Sequence, residues 1–340
     1  MDHGSEMITK PKVALISTGG TITSLSILGE LDVFEYSSTG TRLDAHGMLE
    51  KFPHAKTVAD VIPVAFDTLL STAVSFPHWK KLAEVIHTLI DTHPDLAGIV
   101  ILHGTSSMEE TAYALNLGLH TSIPVVLTGA QRPASALSTD AGMNIYNAVR
   151  LAACPEARNL GVLICLNDEI QAARDVTKTS NGRLQTFRSP DFGALGHVDG
   201  DRIVIYRSPT RRHTPDTEFD LREIAQLPRV DIAYSYAGGD GVAVQAFINA
   251  GARGIVGAAF APGLLSPEEF IAMEAAVKQG VAVAISSRAG SGRTFAPSKM
   301  REAGFIQADN LTPQKTRILL AMALTKTQNR AEIQRMFDTY

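Results

Sequence analysis

Short apolar runs alternate with longer stretches of helical periodicity along most of this chain, and that alternation restricts it to an α/β fold. Val13–Ser17, Gly98–Leu102, Pro124–Thr128 and Gly161–Leu166 read as buried parallel strands. Between the first two, Trp79, Leu82, Ala83, Ile86, Leu89 and Ile90 recur at helical spacing, which predicts a helix over Phe76–Ile90. Past Thr105, Ser106-x-x-Glu109 and Ser107-x-x-Glu110 both have the form of a capping box and predict a helix through Tyr113 and Leu117. Val198–Tyr206 predicts a hairpin with a glycine-containing turn.

The texture then changes. Arg207–Asp220 carries Pro209, Pro215 and two adjacent arginines without periodicity, which marks a connection between domains. A second alternating series follows: strand Val230–Tyr236, helix Gly241–Ala250 and strand Gly254–Ala259. A helix opens at Ser266-Pro267-Glu268-Glu269, strand Val281–Ser286 comes next, and two helices run from Thr312 to the end. The expected architecture is a larger N-terminal parallel-sheet domain (1–207), a linker (208–226) and a smaller C-terminal α/β domain (227–340).

Several function classes are excluded early. A formal net charge of −4, with no run of basic residues longer than two, argues against nucleic acid as a partner. No apolar run approaches the ~18 residues of a membrane span. Met1–Glu6 is polar and lacks the basic and apolar regions of a signal peptide, so a cytoplasmic protein is expected, or a periplasmic one had a signal peptide been removed. Cys154 and Cys165 have no metal-ligand spacing and read as buried free thiols. The 10 histidines form no His-Glu-x-x-His pattern, so neither a metal nor a cofactor is expected. No Gly-x-Ser-x-Gly elbow is present either.

What remains is a pair of threonines on glycine turns directly after strands. Thr21 ends Ser17-Thr18-Gly19-Gly20-Thr21-Ile22, and Thr105 ends Leu102-His103-Gly104-Thr105. Ligands of open parallel sheets bind outside the carboxyl ends of the strands, so two hydroxyls placed there would face one small molecule as nucleophile and helper. Thr18–Thr21 has neither the Gly-x-Gly-x-x-Gly nor the Gly-Lys-Ser/Thr pattern of a nucleotide loop, and taken alone it reads equally as a plain turn. Lys178, among hydroxyls in Arg174–Thr179, reads either as a solvated charge or as a lysine that holds a proton beside Thr105. Tyr36, in a polar stretch ending at Gly40, reads as an exposed loop tyrosine or as a phenol on a lid. Ser71 and Thr72 read as the end of a strand or as further hydroxyls of the site.

Together these segments resemble the bacterial-type L-asparaginase/glutaminase family, whose members hydrolyse side-chain amides through a threonine. The resemblance extends through Met108–Tyr113, Thr128–Pro133, Ser286-Ser287-Arg288 and Leu311–Lys315, and covers nearly the whole chain. It implies a large and a small α/β domain, a homotetramer of paired dimers, and a small-molecule amide as substrate. It further implies that Thr21 is the nucleophile, with Gly20 beside it, and that Tyr36 is the lid tyrosine. Ser71 would hold the substrate carboxylate, and Thr105 and Lys178 would belong to a second Thr-Lys-Asp group.

The chain departs from the family where that group needs its acid. The family reads Asp where Ser106 stands, a carboxylate that pairs with the lysine and binds the substrate α-ammonium. Thr72 stands in place of Gln, Ala289–Pro297 contains no acid, and Gly238-Gly239 occupies the place of an Asn. Charge-assisted hydrogen bonds are roughly twice as strong as neutral ones, so the change at Ser106 bears on the substrate's ammonium end. Asp140 is available as a replacement but reads as structural. The resemblance implies hydrolysis of L-asparagine first, and an amide or lactam without a free α-ammonium second. A binding protein that retained only the pocket is the reading from a different class. Relatives that supply ammonia to a tRNA-modifying partner carry an extra N-terminal domain, whereas about a dozen residues precede the first strand here.

Overall fold

The strands Lys12–Ser17, Leu96–Leu102, Val125–Thr128 and Val162–Leu166 are almost wholly buried and apolar, as strands covered on both faces must be. They pair in parallel within one eight-stranded sheet of the computed structural model, which describes residues 9–340. The opening Met1–Glu6 lies outside the described residues. Across the sheet the order is Ile203–Ile205, Gly196–Val198, Glu169–Ala172, Val162–Leu166, Val125–Thr128, Leu96–Leu102, Lys12–Ser17, Asp60–Val64. The first three of these pair antiparallel, and they include the expected hairpin. Asp60–Val64 is a strand the sequence reading did not identify. It carries Pro63, which lacks an N–H for the ladder, and it sits at the sheet edge where proline is tolerated.

The order contains a reversal. From the Lys12 strand the chain moves outward to Asp60–Val64, then crosses back to place Leu96–Leu102 on the other side of Lys12–Ser17. The two central strands therefore send their following loops apart and leave a crevice at their carboxyl ends. Thr21 and Thr105 follow those two strands.

The second sheet is small and parallel throughout: Val230–Tyr234, Gly254–Ala259, Ala282–Ser287 and Ile306–Gln307. Helix Pro267–Lys278 begins as the sequence reading expects. Ser266 Oγ accepts from the Glu269 N–H at 3.1 Å and Glu269 Oε2 accepts from the Ser266 N–H at 3.1 Å. The helix after Thr105 (Met108–Gly118) forms as expected, but neither predicted capping box does. Ser107 occupies the N-cap with its hydroxyl turned away, donating to the Ser71 carbonyl at 2.5 Å; Ser106 is exposed, and Glu109 is turned toward Gln314.

One core runs through both sheets. Helix Pro313–Lys326 packs against the small sheet and against Met108–Gly118 of the large unit, and Tyr113, Val230, Val256, Leu319, Leu320 and Phe337 belong to a single buried cluster. The connecting segment is packed rather than loose. Phe219 and Leu221 are fully buried, Thr214 Oγ1 donates to the Thr121 carbonyl at 2.7 Å, and the Leu221 N–H donates to the Gly118 carbonyl at 3.1 Å. The cysteines are both free, but only Cys165 is buried; the partly exposed Cys154 thiol donates to Glu156 Oε2 at 3.0 Å, which corrects the reading of two buried thiols.

Because Leu320 is fully buried and fills the space over Gly254, Leu320→Ala is expected to destabilise the protein by about 2–5 kcal/mol. Urea unfolding followed by circular dichroism measures this, and a loss under about 1 kcal/mol would show that the layer between the sheets collapses without cost.

Candidate active site

Two glycines bring the functional loops into contact. Gly20 has φ 95°, and a Cβ built there would lie 2.3 Å from Gly104 Cα. A Cβ on Gly104 would lie 2.6 Å from Ser71 Cβ. Only side-chain-free residues let the three loops carrying Thr21, Thr105 and Ser71 meet. The Gly20 turn is closed by its own carbonyl, which accepts from the Thr23 N–H at 3.1 Å and from the Thr23 and Ser24 hydroxyls at 3.0 Å each.

On this base lie two hydrogen-bonded pairs, one of two hydroxyls and one of a hydroxyl with an ammonium. Thr21 Oγ1 and Tyr36 Oη are 2.8 Å apart, with Tyr36 opening the single helical turn Tyr36–Thr39. Lys178 Nζ donates to Thr105 Oγ1 at 2.8 Å. Lys178 arrives on a two-residue strand, Thr177–Lys178, paired with Phe187–Arg188. Burial lowers the lysine below its ordinary value, and the negative charge of Glu109 opposes that shift.

The turn before Thr105 is braced from beneath. His103 Nδ1 lies 2.8 Å from the Gly104 carbonyl, which can only accept, so Nδ1 carries the proton. Nε2 then accepts from the Thr111 hydroxyl at 3.0 Å, and Thr111 Oγ1 in turn accepts from Trp79 Nε1 at 3.0 Å. Complete burial pushes the His103 imidazole down to about 4, so the ring is neutral.

Ser71 and Thr72 lie in the short turn Ser71–Ala73, with Ser71 half-buried against Gly104 and Thr72 exposed. The Ser106 hydroxyl is exposed and hydrogen-bonds to no described residue. Asp140 accepts from the Gln131 and Arg132 N–H groups at 3.0 Å each and from Asn144 Nδ2 at 3.1 Å. It closes a loop and is not turned to the site. Among the described residues no group of three or more His, Cys, Asp or Glu is placed to hold a metal.

Two residues escaped the sequence reading. Lys315 is 1 % exposed, and its ammonium donates to the carbonyls of Ala173 (2.8 Å), Arg174 (2.9 Å) and Val176. It thus holds the backbone that leads to Lys178. Glu109 reads as a capping acid, yet it is buried and accepts from Gln314 Nε2 at 3.2 Å. No local pattern distinguishes a buried lysine or glutamate from a solvated one.

The fold and these two hydrogen-bonded pairs define an α/β protein with a candidate site at the carboxyl ends of a parallel sheet. Residues 12–211 match the family model "Asparaginase, N-terminal" and residues 229–337 match "Glutaminase/Asparaginase C-terminal domain". The chain is 38% identical to L-asparaginase 2 of Bacillus subtilis over 99% of this chain and 88% of that protein. It is 37% identical to glutaminase-asparaginase of Pseudomonas fluorescens over 99% and 94%. A crystal structure of a probable cytoplasmic L-asparaginase from Campylobacter jejuni superposes with a TM-score of 0.92 at 37% identity, covering 97% of this chain and 100% of that one. This chain belongs to the asparaginase/glutaminase family. It is an amidohydrolase of the asparaginase type.

A methyl group on Gly20 meets backbone, so Gly20→Ala is expected to push the Thr21 and Thr105 loops apart and lower kcat/KM about 100-fold or more, with little change in far-UV circular dichroism. His103 yields a pH prediction. Its folded pKa of about 4 lies below the ordinary 6.5, so between these values the unfolded chain binds the extra proton. Stability contributed by the neutral ring is present above about 6.5 and lost toward pH 4, by about 3 kcal/mol in all. Urea midpoints between pH 7.5 and 4.5 should fall less steeply for His103→Gln than for the unaltered protein.

Proposed function

We propose that Thr21 is the nucleophile of a two-step amide hydrolysis, with L-asparagine as the first substrate. The observation that carries this reading is the 2.8 Å pairing of Thr21 Oγ1 with the Tyr36 phenol at the crevice shared with the lysine-bound Thr105. Thr21 Oγ attacks the amide carbon, and backbone N–H groups near Gly20 and Thr105 receive the developing oxyanion. The Thr21 proton leaves through the adjoining hydroxyls, and a proton reaches the amide nitrogen as the C–N bond breaks. Ammonia departs and an ester on Thr21 remains. Water then adds to the ester carbonyl, one of its protons returns to Thr21 Oγ, and the acid is released. Lys178, its basicity lowered by burial, hands protons to and from Thr105. Ser71 and Gly20 position the substrate.

A second substrate reading has its own observation. Ser106 and Thr72 present neutral, exposed hydroxyls where the family resemblance expects groups that grip an α-ammonium. Substrates without that ammonium, such as succinamic acid, lose nothing by this replacement.

Association into a homotetramer belongs to the same proposal. Tyr234, at the end of strand Val230–Tyr234, and Tyr236, Val242 and Leu264, in the segments that follow the small sheet's strands, leave apolar surface exposed, as self-association requires. A cytoplasmic location is supported by the likeness to the Campylobacter protein, although a probable periplasmic L-asparaginase of Haemophilus influenzae is 36% identical.

Thr21→Ala is expected to lower ammonia release by about 10^4-fold or more while leaving ligand affinity within a few-fold. The assay compares L-asparagine, D-asparagine, L-glutamine and succinamic acid. L-asparagine as best substrate supports the first reading; succinamic acid equalling or exceeding it supports the second. Undiminished turnover by the alanine variant would remove Thr21 from the mechanism.

A further inference from the structure

A cleft of about 790 Å³ adjoins the loops of the candidate site, yet none of Thr21, Tyr36, Thr105 or Lys178 lines it. Its size falls among small-molecule pockets, which run from ~300 to ~1,000 Å³. The large unit supplies Lys80 of helix Phe76–Thr92, together with Ser107 and Glu110 at the start of helix Met108–Gly118. The small unit supplies Asp231 on strand Val230–Tyr234 and Arg317 on helix Pro313–Lys326, and the connecting segment supplies Arg229.

Two of these charges satisfy each other. Arg229 donates to Asp231 from Nε at 2.6 Å and from a terminal nitrogen at 3.2 Å. The other three do not. Glu110 is half-buried, and among the described residues its carboxylate accepts no hydrogen bond and joins no ion pair. Burial pushes its carboxyl above the ordinary range; Glu109 adds to the shift and Arg317 opposes it. Arg317 donates Nε–H to the Val230 carbonyl at 3.0 Å and leaves both terminal nitrogens unused. Lys80 donates to the Ile224 carbonyl at 3.0 Å and retains two N–H groups. With the Arg229–Asp231 pair cancelled, one unmatched acid and two incompletely used bases face the same space. Their complement is a small molecule with one ammonium and two carboxylates.

We propose that this cleft binds a small amino dicarboxylic acid, its ammonium on Glu110 and its carboxylates on Arg317 and Lys80. Such an occupant joins the large unit to the small one across the cleft. Ser107 connects it to the candidate site: this residue lines the cleft, occupies the N-cap of the helix that bears Glu110, and donates its hydroxyl to the Ser71 carbonyl at 2.5 Å. An acid of this class is the product of L-asparagine hydrolysis. The inference therefore deepens the proposed function, as a second site through which product bears on the Ser71 turn, and rests on that function for its regulatory meaning.

The test is calorimetric titration of the full chain with L-aspartate. Ser71→Ala weakens the crevice, and aspartate binding is expected to persist in that variant. Adding Glu110→Gln, which keeps the shape and breaks no hydrogen bond, should then weaken aspartate about tenfold or more. Arg317→Gln in the same background should weaken it likewise. Succinate carries the two carboxylates without the ammonium, so it should bind less tightly than aspartate and be indifferent to Glu110→Gln. Absence of aspartate binding in the Ser71→Ala protein overturns the proposal, as does an equal aspartate affinity with and without Glu110→Gln. An equal loss for succinate and aspartate also overturns it, since Glu110 would then act on the shape of the cleft and not on an ammonium. Should Arg317→Gln not fold, the comparison of the two ligands on Glu110→Gln decides alone. Binding does not require turnover: aspartate held at the cleft by a protein without amidase activity would defeat the proposed function and leave the second site standing, and an active amidase with an empty cleft would do the reverse.

Discussion

The contact between the Gly20 and Gly104 backbones is the constraint on which the candidate site depends. Two strands that are neighbours in the sheet send their loops in opposite directions, and a hydroxyl from each reaches a shared crevice only if the turns lie against one another. Any side chain at Gly20 would occupy the Gly104 backbone, and any at Gly104 would occupy Ser71. Hydrogen bonds then fix what the glycines permit: the Gly20 carbonyl gathers three local donors, and His103 braces the Gly104 carbonyl from the core. A residue chosen for the absence of a side chain is thus held by neighbours chosen for their polar atoms.

The second half of the candidate site depends on helix Pro313–Lys326, which packs on the small sheet. Lys178 stands on a short ladder, and the backbone before it is tied to the Lys315 ammonium on helix Pro313–Lys326. Arg174 adds contacts to the C-terminal region through Asn310 and the Tyr340 carbonyl. These are charge-assisted bonds in a buried setting, where each is stronger than in water. The shared core and the packed connecting segment make the two sheets one mechanical body, so the lysine is placed against Thr105 by residues more than a hundred positions further on.

Much of the fold was legible because its signals are local. Buried parallel strands must be apolar on both faces, and Ser266-Pro267-Glu268-Glu269 opens a helix in the structure as its chemistry suggests. Asp60–Val64 was not legible, since Pro63 speaks against a strand unless the strand is known to lie at an edge. Ser107 was misread for a related reason. Its spacing to Glu110 suits a cap, but the Ser71 carbonyl, brought close only by the meeting of three loops, competes for its hydroxyl.

The sequence by itself determined the alternation of strand and helix, the glycines at the turns and the kinds of side chain available for chemistry. These follow from periodicity and backbone sterics, which act within a few residues. Tertiary structure alone decided the partners: Tyr36 on Thr21, Lys178 on Thr105, Lys315 under the Lys178 loop and Glu109 buried with one oxygen unmatched. A lysine or glutamate carries no local mark of burial, because its cost and its compensation are set by groups that only the folded chain brings near.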